Sequence, residues 1–138
     1  QGGLAGAMGE IKAMGFQVGL HSAGMYPERL ARVLPLLDWI GLDVKAPRDA
    51  YPRITGTPSA GDAVFESLRL ILESGVDYEA RCTWHPELLS AADLATLGDE
   101  LQAQGVSRLV LQECRPTGHS AASSPSTESG QDPGLLRC

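Results

Sequence analysis

The feature that most restricts the fold is a unit that occurs three times along the chain. An amphipathic helical stretch ends in glycine, and an apolar residue and a strand follow at once. The three junctions are Gly15-Phe16, Gly75-Val76 and Gly105-Val106. Glycine readily ends a helix, and parallel strands need a helical crossover between them. The repetition predicts an α/β sheet or barrel with parallel strands rather than separate groups of helices and strands.

Residues 38–47 form the clearest strand candidate. They are apolar on both faces from Trp39 to Leu42, which is typical of a buried strand and makes Trp39 a predicted core residue. The stretch then delivers a carboxylate, Asp43, and an ammonium, Lys45. Ligands of parallel α/β proteins sit at the carboxyl ends of the strands, so one interpretation is the wall of a binding site. A surface turn with a fortuitous ion pair is the other.

Helical stripes, glycines and capping signals place the remaining elements. Helices are predicted at about residues 4–14, 27–37, 60–74 and 91–104, and further strands at about 16–20, 76–84 and 109–112. Two capping boxes are predicted, Ser59 with Asp62 and Ser90 with Asp93. Between them, Arg48–Ala60 is predicted to be a long loop of the kind that contacts substrate or forms a lid.

Length and charge limit the classes of protein that fit. The 138 residues suffice for one domain with a core and are too few for two ordinary domains. A formal net charge of -6 argues against nucleic-acid and anionic-membrane surfaces, and the apolar runs are too short to span a bilayer. We therefore expect no nucleic-acid or membrane partner and a cytoplasmic location. Residues 1–118 are predicted to be the helix–strand domain, and the Ser-, Pro- and Gly-rich residues 119–138 a disordered tail.

Side chains able to bind or react follow the predicted strands. They are His21 with Ser22, Asp43 with Lys45, Arg81 with Thr83, and the segment Gln112–Arg115. Lys45 and Arg81 suit a carboxylate or phosphate, and Asp43 can accept from an ammonium. This combination fits a zwitterionic ligand better than a simple phosphate. The plainer interpretation is a structural histidine and solvated charges at wet strand ends.

Several common catalytic signatures are absent. The sequence contains no glycine-rich phosphate loop and no GxSxG, HExxH or CxxC motif. Cys82, Cys114 and Cys138 are an odd number at wide intervals, which fits neither a disulfide framework nor a zinc site. We interpret Cys82 and Cys114 as packing residues beside apolar strands.

Four segments at the ends of predicted strands carry a family resemblance: Leu20–Gly24, Asp38–Lys45, Tyr78–Arg81 and Leu111–Arg115. In this order and at these intervals they resemble the radical SAM enzymes. The closer resemblance is to the activating proteins of anaerobic ribonucleoside-triphosphate reductase, which are similar to the pyruvate formate-lyase activating enzymes. The resemblance covers about residues 1–118. It implies a partial (β/α)6 barrel, lacking its first strands, in which a [4Fe-4S] cluster and S-adenosylmethionine meet at the carboxyl ends of the strands.

The resemblance also implies an activity, a partner and a set of binding residues. In the family, the cluster reduces S-adenosylmethionine, and the resulting 5′-deoxyadenosyl radical takes a hydrogen atom from a glycine of the partner reductase. Carried over by position, the cofactor-binding residues are His21, Ser22, Asp43, Lys45, Arg81 and Arg115. His21 departs from the acidic residue that the pyruvate formate-lyase relatives have there.

Two family motifs are missing from this sequence. Neither the Cys-x3-Cys-x2-Cys that holds the cluster nor the Gly-Gly-Glu that steadies the methionine amino group occurs. The three cysteines present have the wrong spacing to hold the cluster. We therefore expect a fragment of such an activating enzyme that binds no cluster, binds S-adenosylmethionine weakly or not at all, and carries out no radical chemistry. We also expect it to aggregate through the unprotected edge of its first strand.

Two alternatives to this interpretation stay open. One is a non-redox (β/α) enzyme or binding module that recognises a carboxylate or phosphate between Lys45 and Arg81. The other is an interaction module that is not an enzyme.

Overall fold

A computed structural model describes residues 2–114, in which helices α1–α5 and strands β1–β4 are arranged along the chain. The elements are α1 (Gly2–Ala13), β1 (Gly19–Ser22), α2 (Pro27–Val33), β2 (Trp39–Asp43), α3 (Tyr51–Thr55), α4 (Ala60–Ser74), β3 (Asp77–Trp84), α5 (Ala91–Gln104) and β4 (Leu109–Glu113). Single turns of 3-10 helix, Leu34–Leu36 and Arg48–Ala50, follow α2 and precede α3. Arg115 and the predicted tail 119–138 lie outside the described residues.

The four strands form one parallel sheet in the order β1-β2-β3-β4. Each strand therefore pairs with its neighbour in sequence, and every crossover advances across the sheet in the same direction. This arrangement confirms the prediction of an α/β fold with parallel strands. None of the described helices is long and apolar enough to cross a membrane.

The core lies on one face of the sheet. Ile40 and Leu42 of β2 are fully buried there against the apolar stripe of α4, which includes Val64 and Leu68. Side chains alternate along a strand, so Trp39 and Asp43 point to the opposite face, where both are only partly buried. The prediction that Trp39 is a core residue is wrong, because helices cover only one side of β2.

The predicted long loop Arg48–Ala60 is largely helical. The 3-10 turn Arg48–Ala50 leads into α3, whose Tyr51 is 1% exposed and whose hydroxyl accepts a hydrogen bond of 2.6 Å from the Lys45 amide. The sequence does not reveal this helix for two reasons. Its proline and glycine are typical of a loop, and five residues are too few to show a periodic apolar stripe. The segment thus packs against α4 and the residues that follow β2, and it does not form an open lid.

Of the two predicted capping boxes, one forms. The Ser90 hydroxyl accepts from the Asp93 amide at 3.0 Å, and the Asp93 carboxylate accepts from the Ser90 amide at 3.0 Å. The Ser59 side chain makes no capping bond to α4. The Ser90→Ala variant should lose about 1 kcal/mol of unfolding free energy in urea denaturation. The Ser59→Ala variant is the matched control and should unfold like the parent; equal losses would contradict the assignment.

Both edge strands deviate from their predictions. β1 begins at Gly19 rather than near Phe16, which is 63% exposed. β4 was predicted to be buried, but Leu109 and Leu111 are 44% and 51% exposed. Burial of an apolar strand depends on what lies over it. Within the described residues, no helix covers the side of β4 that carries Leu109 and Leu111.

The carboxylate of Asp38 joins α1 to the starts of β1 and β2. It accepts from the Val18 amide at 2.7 Å and from the Lys12 ammonium at 3.0 Å, while the Asp38 amide donates to the Val18 carbonyl at 2.7 Å. The Val18 hydrogen bond, followed by that from Lys12, lowers the pKa of Asp38 below its usual value of 3.8. A depressed folded-state pKa stabilises the fold above the unfolded-state pKa.

This stabilisation should therefore be lost as the pH falls from 3.8 through the lowered folded-state value. The Asp38→Asn variant should unfold more easily than the parent at pH 7, with the difference shrinking in this acidic range. Thermal melts of both proteins measure this difference in stability. They should cover about six pH values between pH 2 and pH 7, spaced across the titration of a carboxyl group. A difference that stays constant with pH would show that Asp38 acts only through its shape.

Candidate functional site

The side of the sheet opposite the core, here called the open face, carries polar residues toward the carboxyl ends of the strands. In the strand register, Gly41 lies between His21 and Glu79, and Asp43 lies beside Arg81. Paired residues of neighbouring strands point to the same side of a sheet. The parallel register thus brings side chains from three separate segments of the chain to one edge.

These side chains surround a cavity of about 380 Å³ at the ends of β1, β2 and β3. Its lining residues are His21, Ser22, Ala23, Gly41, Asp43, Arg81 and Thr83. The volume lies within the range of small-molecule sites. Of the six predicted binding residues, His21, Ser22, Asp43 and Arg81 therefore share one cavity.

Lys45 stands just outside the lining of this cavity. Its ammonium lies 2.6 Å from the Asp43 carboxylate, and both side chains are about two-fifths exposed, at 46% and 40%. An ion pair this exposed contributes little, within about 1 kcal/mol, because water competes for both charges. A ligand ammonium can therefore replace Lys45 at Asp43 without a large loss. Arg115 lies outside the described residues.

The guanidinium of Arg81 is held by two long contacts. One nitrogen lies 3.4 Å from the Glu79 carboxylate and the other 3.2 Å from the Gln112 side-chain oxygen. A guanidinium has five N–H donors, so this geometry leaves donors available toward the cavity. Glu79 and Gln112 belong to β3 and β4, and they set the direction of the guanidinium along the sheet.

An aromatic pair lies on the side of the cavity toward the amino-terminal ends of the strands, and its His21 member lines the cavity. The rings of His21 and Trp39 meet edge to face with their centres 5.1 Å apart. Gly41 permits this contact, because a Cβ atom at that position would lie 2.7 Å from the Trp39 Cη2 atom and 3.1 Å from the His21 Nδ1 atom. Trp39 thus supports the cavity through His21 without lining it, a role that the sequence analysis missed. The sequence contains one signal for this role. Trp39 lies two residues before Gly41 on the same strand, so both lie on the same face and the glycine leaves room for the large ring.

The cysteine nearest the site is not a nucleophile. Cys82 is a free thiol that is 1% exposed on the core side of β3. Burial, and secondarily the charge of Asp43, raises the pKa of the Cys82 thiol to about 11, so it stays protonated at neutral pH. Within residues 2–114 no group of three His, Cys, Asp or Glu side chains is placed to hold a metal ion.

Comparison with protein-family models, with curated proteins and with solved structures gives no match for this chain.

Proposed function

We propose that the cavity at the strand ends binds a zwitterionic small molecule of the α-amino-acid type, and that S-adenosylmethionine is this ligand. One observation carries the proposal: a carboxylate, Asp43, and a guanidinium, Arg81, line the same cavity of about 380 Å³ from neighbouring strands. A ligand that bears both an ammonium and a carboxylate complements this pair of charges.

Four of the lining residues have a role in this binding. Arg81 donates to the ligand carboxylate through two parallel N–H groups, and Asp43 accepts from the ligand ammonium. The Ser22 hydroxyl already accepts from the Gly24 amide at 2.9 Å, so its own proton is directed to another acceptor such as the ligand. Trp39 fixes the ring of His21 by the edge-to-face contact and leaves that imidazole at the border of the cavity.

We further propose that the chain is related to the radical SAM activating proteins of anaerobic ribonucleoside-triphosphate reductase, and that this reductase is the partner. The resemblance of the strand-end segments supports this, together with the parallel order of the four strands. The residues of the chain do not fit a [4Fe-4S] cluster: the cysteine triplet is absent from the sequence, and the described residues hold no three-ligand group. We therefore assign no redox step to these residues.

The affinity expected for the chain alone is weak. Two charge-assisted contacts at about 2 kcal/mol each correspond to a Kd of about 1 mM. Isothermal titration calorimetry with S-adenosylmethionine, with methionine and with inorganic phosphate tests this expectation. Methionine should bind within about tenfold of S-adenosylmethionine, because the two share the zwitterionic end that contacts Asp43 and Arg81.

The Asp43→Asn variant distinguishes a site for a zwitterion from a site for a simple anion. It should weaken binding of both amino-acid ligands, because the amide no longer attracts an ammonium, and it should leave phosphate binding unchanged or stronger. Phosphate that binds more tightly than S-adenosylmethionine to the parent chain would overturn the proposal. That result would favour a carboxylate- or phosphate-binding site between Lys45 and Arg81.

A further inference from the structure

The two edges of the sheet are exposed in complementary ways. At the β4 edge, Leu109 pairs in register with Ala80, and Leu111 pairs with Cys82. Ala80 and Cys82 are buried on the core side, so both leucines point to that side, yet they are 44% and 51% exposed. This edge has an apolar strand that lacks a covering helix among the described elements.

At the β1 edge the situation is reversed. The helix α1 precedes β1 and shares a groove of about 680 Å³ with β1 and α2, lined in part by Leu4, Leu20 and Leu30. Leu4 and Ile11, seven residues apart on one side of α1, are 49% and 39% exposed. This edge has an apolar helix that lacks a strand beneath it within residues 2–114.

We propose that a second copy of this chain occupies both edges. β4 of one copy pairs in parallel with β1 of the other copy, beneath its α1, and the same contact forms a second time across a two-fold axis. In the order β1-β2-β3-β4, each strand lies beside the next strand in the sequence. Placing β1 of the second copy beside β4 of the first copy continues the sheet in the same direction. Four strands from each copy give eight, the number at which parallel strands close into a barrel with a filled interior.

The open faces of the two copies are compatible inside such a barrel. Four of the charges on each open face are paired, because Asp43 contacts Lys45 and Glu79 contacts Arg81, and Asp77 lies at the exposed start of β3. The two ion pairs therefore add no net repulsion between two such faces. The large side chain of Trp39 lies over Gly41, and this alternation of large and small residues suits the interior of a small barrel.

The second copy would also complete the cavity at the strand ends. His21 and Ser22 lie on β1, the edge strand, so one side of the cavity is open. The partner's β4 would lie along this side and bring its carboxyl end to the mouth. The inference rests on the two edges and not on the identity of the ligand, so failure to bind S-adenosylmethionine would leave it intact.

Sedimentation velocity on the full chain at about 100 µM tests the pairing, a concentration at which interfaces of ordinary size associate. We expect a single species of twice the chain mass of 14.6 kDa. The Leu109→Lys and Leu4→Glu variants should each raise the dimer Kd at least about 100-fold, because both two-fold-related contacts then bury a charge. The control variant Leu88→Lys changes a leucine of similar exposure, 42%, that lies on neither edge, and it should remain dimeric.

Mixing the two edge variants gives the sharpest test. In a mixed dimer, one contact joins the α1 surface of the Leu4→Glu chain to the β4 edge of the Leu109→Lys chain, where the two introduced charges attract each other. The other contact has the parental leucines on both sides. We expect the mixture to recover the dimer, with circular dichroism showing that each variant is folded on its own. A parent chain that stays monomeric, open polymers instead of a dimer, or a mixture that stays monomeric would overturn the proposal.

Discussion

The Arg81→Ala variant should bind S-adenosylmethionine about 10- to 100-fold more weakly than the parent, which corresponds to the loss of one charge-assisted contact. Alanine removes the guanidinium that we propose to bind the ligand carboxylate and leaves Asp43 in place. The change should not unfold the protein, because Arg81 is 38% exposed and its contacts to Glu79 and Gln112 are 3.4 and 3.2 Å long. Calorimetric titration measures the affinity, and thermal melting checks the fold.

Arg69→Ala is the matched control for this loss of charge. Arg69 lies on the exposed surface of α4, where its guanidinium pairs with Glu66 and Glu73. Its removal changes the net charge by the same amount and should leave the Kd within about twofold of the parent value, since screened surface charges act weakly at a distance. Equal weakening by Arg69→Ala and Arg81→Ala would mean that the ligand senses overall charge and makes no specific contact.

The Gly24→Ala variant should lose about 3 kcal/mol of unfolding free energy, because the added methyl group combines backbone strain with a close contact in the core. Gly24 has a positive φ of 72°, and an added Cβ would lie 2.9 Å from the Leu42 Cδ1 atom and 3.3 Å from the Ser67 Cβ atom. Both neighbours are fully buried. The Ser67 hydroxyl also donates to the Gly24 carbonyl at 2.9 Å, so the glycine cannot move away without breaking a buried hydrogen bond.

Gly75→Ala separates backbone strain from packing in this prediction. Gly75 ends α4 with a φ of 79°, and nothing lies within 4 Å of an added Cβ. This variant should lose about 1 kcal/mol, the cost of a left-handed conformation alone. Urea denaturation of both variants measures the difference, and losses of the same size would contradict a close contact between Gly24, Leu42 and Ser67.

The parallel α/β architecture could be predicted because its signals are local. The three glycines predicted to end helices all take a positive φ, 94° at Gly15, 79° at Gly75 and 101° at Gly105. This conformation is nearly exclusive to glycine, so the residue alone marks the end of the helix. The box at Ser90 follows from residue types three positions apart, whereas Ser59 has the same types and makes no cap. Sequence spacing permits a capping bond but does not set the backbone angles that it needs.

Which side of a strand is covered could not be predicted from the strand itself. The run from Trp39 to Leu42 is apolar throughout, yet only Ile40 and Leu42 face the helices. Leu109 and Leu111 have the same composition as a buried strand and are exposed because no described helix lies over them. Burial is decided by elements distant in sequence, and a local pattern does not contain that information.

The cavity itself was partly predictable for a geometric reason. Parallel strands bring their carboxyl ends to one edge, so Asp43 and Arg81 were expected to lie together, and the register places them side by side. The partners of these charges were not predictable. Glu79 and Gln112 reach Arg81 only through side-chain geometry that depends on the stagger between β3 and β4.

The central claim is that a zwitterionic ligand binds at the ends of β1, β2 and β3, and amide chemical-shift mapping by NMR tests it most directly. During a titration with S-adenosylmethionine, the largest shifts should fall on the amides of the residues that line the cavity, such as Ser22, Asp43 and Thr83. The same shifts should be absent in the Arg81→Ala variant. Shifts confined to the groove between α1 and α2, or no saturable shifts in the parent chain, would contradict the account.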